Sequence, residues 1–343
     1  MSRKTTTLWR QHALAAALVI ATLVGATVAT ASTKRASDTK LNLVAYSTPR
    51  EAYGKLISLY QATPTGKDVS FTQSFGASGD QARAVKAGLP ADIVNLSLAP
   101  DVDDLVKAGL VDAKWSKQSY KGMVTNSVVV FVVRDGNPKK IRKWADLIKP
   151  GVDVITPNPF TSGGARWNVM AAYGGFIREG ATPRQAEAKL LALFKNVSVQ
   201  DKSARDALNT FLGGKGDVLL TYESEAIAAQ LKKQPVQYVI PKATILIENP
   251  IAVLKGSKNI EQANQFIRFL KTPPAQQVFA DYGYRPIVKS VLEKNRAKFP
   301  KRPDIFSITN LGLGGWTKVQ KTFFDPSNSV MAGIERQVGG VTG

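Results

Sequence analysis

An α/β fold in two lobes, each a mainly parallel sheet flanked by helices, is what this sequence of 343 residues predicts. Three observations carry the prediction. From residue 41 onward, short runs rich in β-branched residues alternate with helical patterns, and that rhythm requires a largely parallel sheet with helices on its faces. The composition, 44% hydrophobic and 21% charged, supplies enough apolar content for one large or two medium cores. No internal repeat, low-complexity segment or flexible linker interrupts the alternation.

The first block reads as a strand over Leu41–Tyr46, a helix from Pro49 to about Tyr60, a strand over Val69–Gln73, a helix over Gly79–Ala87, a strand over Ala91–Leu96 and a helix from Val102. Ser127–Val133 is a run without polar alternation, as a strand buried on both faces requires. A strand at Val154–Ile155, helices near 164–178 and 183–194, a strand at Val197–Val199, a helix from about 204 and a strand over Asp217–Leu220 follow. After Ile245–Leu254 the pattern is mostly helical. Residues 41–125 with 255–343 are expected to form one lobe and 126–254 the other, with the ligand beyond the carboxyl ends of the strands.

The N-terminus is separate. Arg3, Lys4 and Arg10 precede an uncharged apolar run, Ala13 to Ala31, that ends Ala29-Thr30-Ala31 before Ser32. This is the layout of a secretory signal over residues 1–31, and the same run approaches the length of a membrane anchor; either way the rest of the chain lies outside the cytoplasm. There is no cysteine, and the one histidine, His12, belongs to the leader. The mature chain is thereby denied a Ser-His-Asp or Cys-His nucleophile and any histidine or thiolate metal site, while carboxylate-only and lysine chemistry survive. Neither cofactor nor metal is expected. The 46 basic residues, less the leader's three, against 26 acidic ones leave a net charge of +17. These cations are scattered and aromatics are only 8%, unlike the concentrated, aromatic-interleaved pattern of nucleic-acid binders; no nucleic-acid partner is expected. A positive field does draw small anions toward a cleft.

The segment FTSGGARWN, Phe160 to Asn168, opens a helix with two glycines behind Thr161 and Ser162. Lacking a Cβ, they let backbone amides approach a ligand closely. The first amides of a helix have no intrahelical acceptor and sit at the positive end of its dipole, so an anion is a natural partner. Similar starts recur. Ser78-Gly79-Asp80-Gln81 and Thr48-Pro49-Arg50-Glu51 have capping-box form, the latter with Pro at the first helical position, and Ser203-Ala204-Arg205 opens a further helix. An anion pocket and simple capping both account for these residues.

The segments AYSTPREAY, FGASGDQA, ADIVNLSLAPDVD, WADLIKPGVDVITPNPFTSGGARWN, SARDALNTF, LTYESEA and LGGWTKVQ together resemble the periplasmic sulfate-binding protein family of ABC importers, from about Leu41 to about Lys321. The resemblance implies a type II, Venus-flytrap periplasmic-binding-protein fold that closes on a dehydrated sulfate, using neutral donors. It implies hydroxyl donation by Ser78 and Ser162, and backbone N–H donation by Gly163, Gly164 and Ala204. It also implies an ABC importer permease as partner and no enzymatic activity; a monomer is expected. Two positions depart from the family pattern. Ser47 stands where an aspartate is usual, its backbone N–H still able to serve, and Tyr222 stands for a tryptophan; its hydroxyl can accept as well as donate. Thiosulfate, phosphate or molybdate as ligand, or an exported carboxylate enzyme on the same scaffold, remain alternatives.

Arg166 and Arg205, just past two of the helix starts, are expected to support the loops rather than the anion. Glu223 and Glu225, two apart, point different ways and are expected at the surface or bridging the lobes. Asp101 and Asp103 read as helix-start acids, and Trp316 as core packing.

Overall fold

The computed structural model describes residues 39–342 apart from Pro303. The leader expected at 1–31 lies outside these residues. Among the described residues no helix is long and apolar enough to cross a membrane.

From Thr39 on, the chain forms one compact unit. The first block contributes β1 (Thr39–Tyr46), α1 (Arg50–Gln61), β2 (Val69–Gly76), α2 (Ser78–Lys86), β3 (Ile93–Asn95) and α3 (Ala99–Lys107). The middle block contributes β4 (Met123–Arg134), β5 (Val154–Ile155), α4 (Gly163–Arg178), α5 (Pro183–Lys195), β6 (Val197–Val199), α6 (Ala204–Leu212), β7 (Val218–Tyr222), α7 (Glu223–Leu231), β8 (Val236–Val239) and β9 (Thr244–Val253). Then come α8 (Ile260–Leu270), α9 (Pro273–Asp281), α10 (Lys289–Lys294), β10 (Ile305–Phe306), α11 (Gly315–Phe324) and α12 (Val330–Val338).

The strands run in the order β2-β1-β3-β9-β4-β7-β5-β6, with β8 on β4 and β10 on β9. The parallel expectation holds where helices make the crossovers: β1 pairs parallel with β2 and β3, and β5 with β6 and β7. It fails at the two longest strands. β9 is antiparallel to β3 and to β4, and β4 is antiparallel to β7. These two strands serve both halves of the molecule, β9 pairing with β3 through Ile251–Val253 and with β4 through Leu246–Pro250. They therefore connect the halves and do not repeat the strand-helix-strand unit. Val128 to Val133 of β4 are fully buried, as their uninterrupted apolar run requires.

On the first half, α8 closes the core over α1 and β2 through aromatic contacts: Phe266 meets Phe71 with ring centroids 4.7 Å apart and Tyr60 at 5.1 Å. Of the last two helices, α12 rests on α5 of the middle block, while α11 lies between the blocks, against α3 and, with Phe323 edge-on to Tyr173 at 4.9 Å, against α4.

Neither capping box forms. Pro49, not Thr48, occupies the N-cap of α1, because the Thr48 hydroxyl bonds the Tyr284 hydroxyl at 2.9 Å and Glu51 turns to Arg205. Ala77 caps α2, which makes Ser78 its first helical residue, and the Gln81 amide pairs with Ser74 Oγ at 3.0 Å. Ser162 and Ser203 do cap α4 and α6, accepting the N–H groups of Ala165 and Asp206 at 3.3 and 3.2 Å.

Candidate functional site

The starts of α2, α4, α6 and α7 meet at the carboxyl ends of their preceding strands, and a chain of direct contacts joins them. Ser97, just after β3, is at the centre. Its N–H donates to Ser78 Oγ at 2.8 Å, its hydroxyl pairs with the Tyr222 hydroxyl at 2.6 Å, and its carbonyl accepts from the Trp167 indole at 3.0 Å and from Asn249 at 2.9 Å. The first half of the molecule is thereby tied to the helix starts of the second.

The two glycines of FTSGGARWN are required by this approach. A β-carbon on Gly163 would overlap Leu98 Cδ2 and come within 2.6 Å of Ser97 Cβ. One on Gly164 would lie 2.8 Å from the Tyr222 ring and 3.3 Å from Ala204 Cβ. Ser47 completes the ring from β1, its hydroxyl accepting the Arg205 N–H at 3.4 Å. All seven residues expected at the ligand are thus in one contact chain, and all are buried. Gly163, Gly164 and Ala204 are the opening residues of α4 and α6, where backbone N–H groups have no intrahelical acceptor.

Ser78 departs from expectation. Its hydroxyl donates to Asp101 Oδ2 at 2.5 Å while its oxygen accepts from Ser97, so the side chain is fully engaged within the protein. What α2 offers the site is the backbone N–H at its first turn. Burial pushes the Asp101 carboxyl up from its ordinary range, against the opposing pull of Arg166 and Ser78. Asp101 thus does more than cap the helix dipole; it fixes the Ser78 rotamer.

Arg166 and Arg205 are both engaged within the protein. Arg166 donates from Nε to the Pro159 carbonyl at 2.9 Å and lies 3.5 Å from Asp101. Arg205 grips two carboxylates, Glu225 at 2.9 and 2.8 Å and Glu51 at 2.7 and 3.0 Å, and donates to the Thr48 carbonyl at 3.0 Å. Burial opposes ionisation of Glu51, but the hydrogen bonds from Arg205 and Lys232 outweigh it and hold that carboxyl at about 2. Glu223 and Glu225 are not at the surface. Both are buried, Glu223 bound by Arg285 at 2.6 and 3.0 Å, because α7 starts inside the molecule where each carboxylate needs a guanidinium. Trp316 is only partly buried, edge-on to Trp167 at 4.8 Å. Among the described residues no cluster of three or more carboxylates or histidines could hold a metal.

Contacts crossing between the halves show the lobes shut. The Gly79 N–H donates to the Thr161 carbonyl at 3.1 Å, and Arg205 of α6 reaches Glu51 of α1. Sequence reasoning missed Ser97 and Glu51. A serine after a three-residue strand looks like an ordinary solvated position, and a glutamate in a first helical turn like a capping residue, until the lobes close on them.

Against this geometry, comparison with known proteins is decisive. Residues 41–285 match the model of the family described as bacterial extracellular solute-binding protein. This chain belongs to that family. A sulfate-binding protein of Synechococcus elongatus is 39% identical over 93% of this chain and 95% of its own. A thiosulfate-binding protein of Pseudomonas aeruginosa is 35% identical over 90% of this chain and 95% of its own. The structure of the sulfate-binding protein SubI from Mycobacterium tuberculosis superposes with a TM-score of 0.81 at 41% identity, over 84% of this chain and all of that one. The resemblance read from the sequence is borne out, and so are the α/β architecture and its two lobes.

Proposed function

We propose that this solute-binding protein captures sulfate in the closed cleft and delivers it to the permease of an ABC importer. The single observation that carries the reading is the set of helix starts converging on Gly163 and Gly164, with Arg166 turned to the Pro159 carbonyl and Asp101, and Arg205 paired with Glu51 and Glu225. Such a site presents donors and partial positive charge without a salt bridge, which suits a fully deprotonated dianion. The bound anion is held by backbone N–H groups of Ser47, Ser78, Gly163, Gly164 and Ala204, by the Ser162 hydroxyl, whose oxygen accepts from Ala165 and whose hydrogen is left to donate, and by the Tyr222 hydroxyl. Charge on the anion is balanced by the dipoles of α2, α4 and α6.

Protonated phosphate carries a donor hydrogen that finds few acceptors in such a site. Leaving it unpaired costs roughly 1–3 kcal/mol, a tenfold to hundredfold penalty. The Tyr222 oxygen offsets part of this penalty. The protein acts as a monomer outside the cytoplasm and turns nothing over; the sulfate-binding and thiosulfate-binding names of its relatives support the binding role.

The test is calorimetric titration of ligand-stripped protein with sulfate, thiosulfate, phosphate and molybdate. One-to-one sulfate binding with phosphate at least tenfold weaker is expected. Tighter thiosulfate binding would move the assignment to that anion, and binding of none of the four would remove it.

A further inference from the structure

The loop between β4 and β5 builds an array of positive charge far from the cleft. β5 and β7 are parallel and deliver their carboxyl ends to the helix starts of the site, whereas β4 is antiparallel to β7. The chain after Arg134 therefore emerges at the opposite end of this half of the sheet. The loop is rigid. Ile141 and Trp144 are fully buried, the Asn137 side chain makes two 2.9 Å hydrogen bonds with the Ile141 backbone, and the Trp144 indole donates to the Ala243 carbonyl at 2.8 Å. Asn137 and Lys140 are held at φ of 48° and 51°, a left-handed backbone that disfavours residues other than glycine.

With Ile141 and Trp144 turned inward, Lys140, Arg142 and Lys143 are exposed, and among the described residues none has an ion-pair partner. Lys149 and Lys195 are exposed beside them, brought together by Asn196, whose amide donates to the Leu147 and Lys149 carbonyls at 2.9 Å. One acid of the loop, Asp135, is exposed and accepts from the Gln237 amide at 3.2 Å; the others beside the cations are engaged. Asp146 is buried, accepts the Arg142 and Lys143 N–H groups and pairs with Lys149; Glu179 accepts the N–H groups of Trp144 and Ala145; Asp217 lies 3.6 Å from Lys139.

We infer that this end of the molecule docks on an anionic lipid surface, its cations meeting headgroup phosphates. Charge complementarity selects that occupant. Large exposed apolar side chains, Tyr120, Leu231, Ile260 and Val341, lie outside the loop, so adhesion is electrostatic and peripheral, with neither an apolar wedge nor an aromatic platform for stacked bases. A molecule docked this way keeps its anion site at the far end of the sheet, free to capture its ligand, and detaches from the lipid to present that site to the permease.

The experiment uses the chain from Ser32 onward, without the apolar leader expected at 1–31, and vesicles of phosphatidylcholine with or without about one-third phosphatidylglycerol at low salt. Sedimentation is compared for the unaltered protein, for Lys140→Gln/Arg142→Gln/Lys143→Gln, and for Lys258→Gln/Lys289→Gln/Lys294→Gln, which removes equal charge from exposed positions elsewhere. The unaltered protein is expected on anionic vesicles only, and the loop triple to lose about a hundredfold in partitioning, near fivefold per cation. The second triple is expected to lose far less. Absence of binding by the unaltered protein, or equal loss in the two triples, overturns the inference. Sulfate titration and thermal melting of the loop triple, both expected unchanged, separate this outcome from the fate of the sulfate reading.

Discussion

Glu51→Gln tests whether the grip of Arg205 on Glu51 holds the cleft shut. Arg205 keeps Glu225 within its own half of the molecule and takes Glu51 from the other, at 2.7 and 3.0 Å, so only the second contact depends on closure. The Glu51 carboxyl lies near 2 in the folded protein against an ordinary 4.5. Taken at face value that displacement is about 3 kcal/mol. The side chain is 31% exposed and shares its charge with Lys232, so solvent screening reduces the closure term to about 1–2 kcal/mol. Because the contact exists only with the lobes shut, its loss belongs to the dissociation rate. Stopped-flow tryptophan fluorescence with sulfate is expected to show release about 5–30-fold faster in Glu51→Gln, with association unchanged. Unchanged release, or an equal effect on both rates, would refute the argument. Arg205→Met makes a harsher contrast, since it strands Glu225 buried and unpaired, and a loss of about 3–5 kcal/mol of fold stability is expected by denaturant unfolding.

Gly163→Ala should weaken sulfate binding more than about a hundredfold in calorimetry while the melting transition survives, because the added carbon collides with Leu98 and Ser97 across the cleft and not within its own half. Tyr222→Phe strands the Ser97 hydroxyl and is expected to cost sulfate affinity about fivefold, while raising the sulfate-to-phosphate ratio through loss of an oxygen placed to accept a phosphate proton. The depressed Glu51 carboxyl contributes stability above its unfolded value near 4.5 and loses it as pH falls toward about 2. Buried Asp101, shifted the other way, opposes folding as it ionises and is relieved as pH falls. Melting curves from pH 6 to 2 should therefore bring unaltered protein and Glu51→Gln together at the acid end, and a constant gap would count against the assignment.

The alternation of short apolar runs and helical patterns by itself determined the α/β class and most element positions, since local periodicity reports which face of each segment is buried. The absence of cysteine, and of any histidine beyond His12, fixed which chemistries the site could not perform, and the Ser-Gly-Gly start of α4 marked where backbone amides would be offered. Strand direction was a tertiary decision. β4 and β9 have the same apolar signature in either orientation, and their antiparallel course follows from linking two halves of one molecule. Competition among partners was tertiary as well. Thr48 and Ser78 carry local capping signals, yet Tyr284 and Asp101, 236 and 23 residues away, take their hydroxyls. Ser97 and the clasp through Arg205 have no local signature, and the local signal at Glu51 pointed to a cap, because their roles arise only when segments distant in the chain close on one another, and sequence spacing does not encode that proximity.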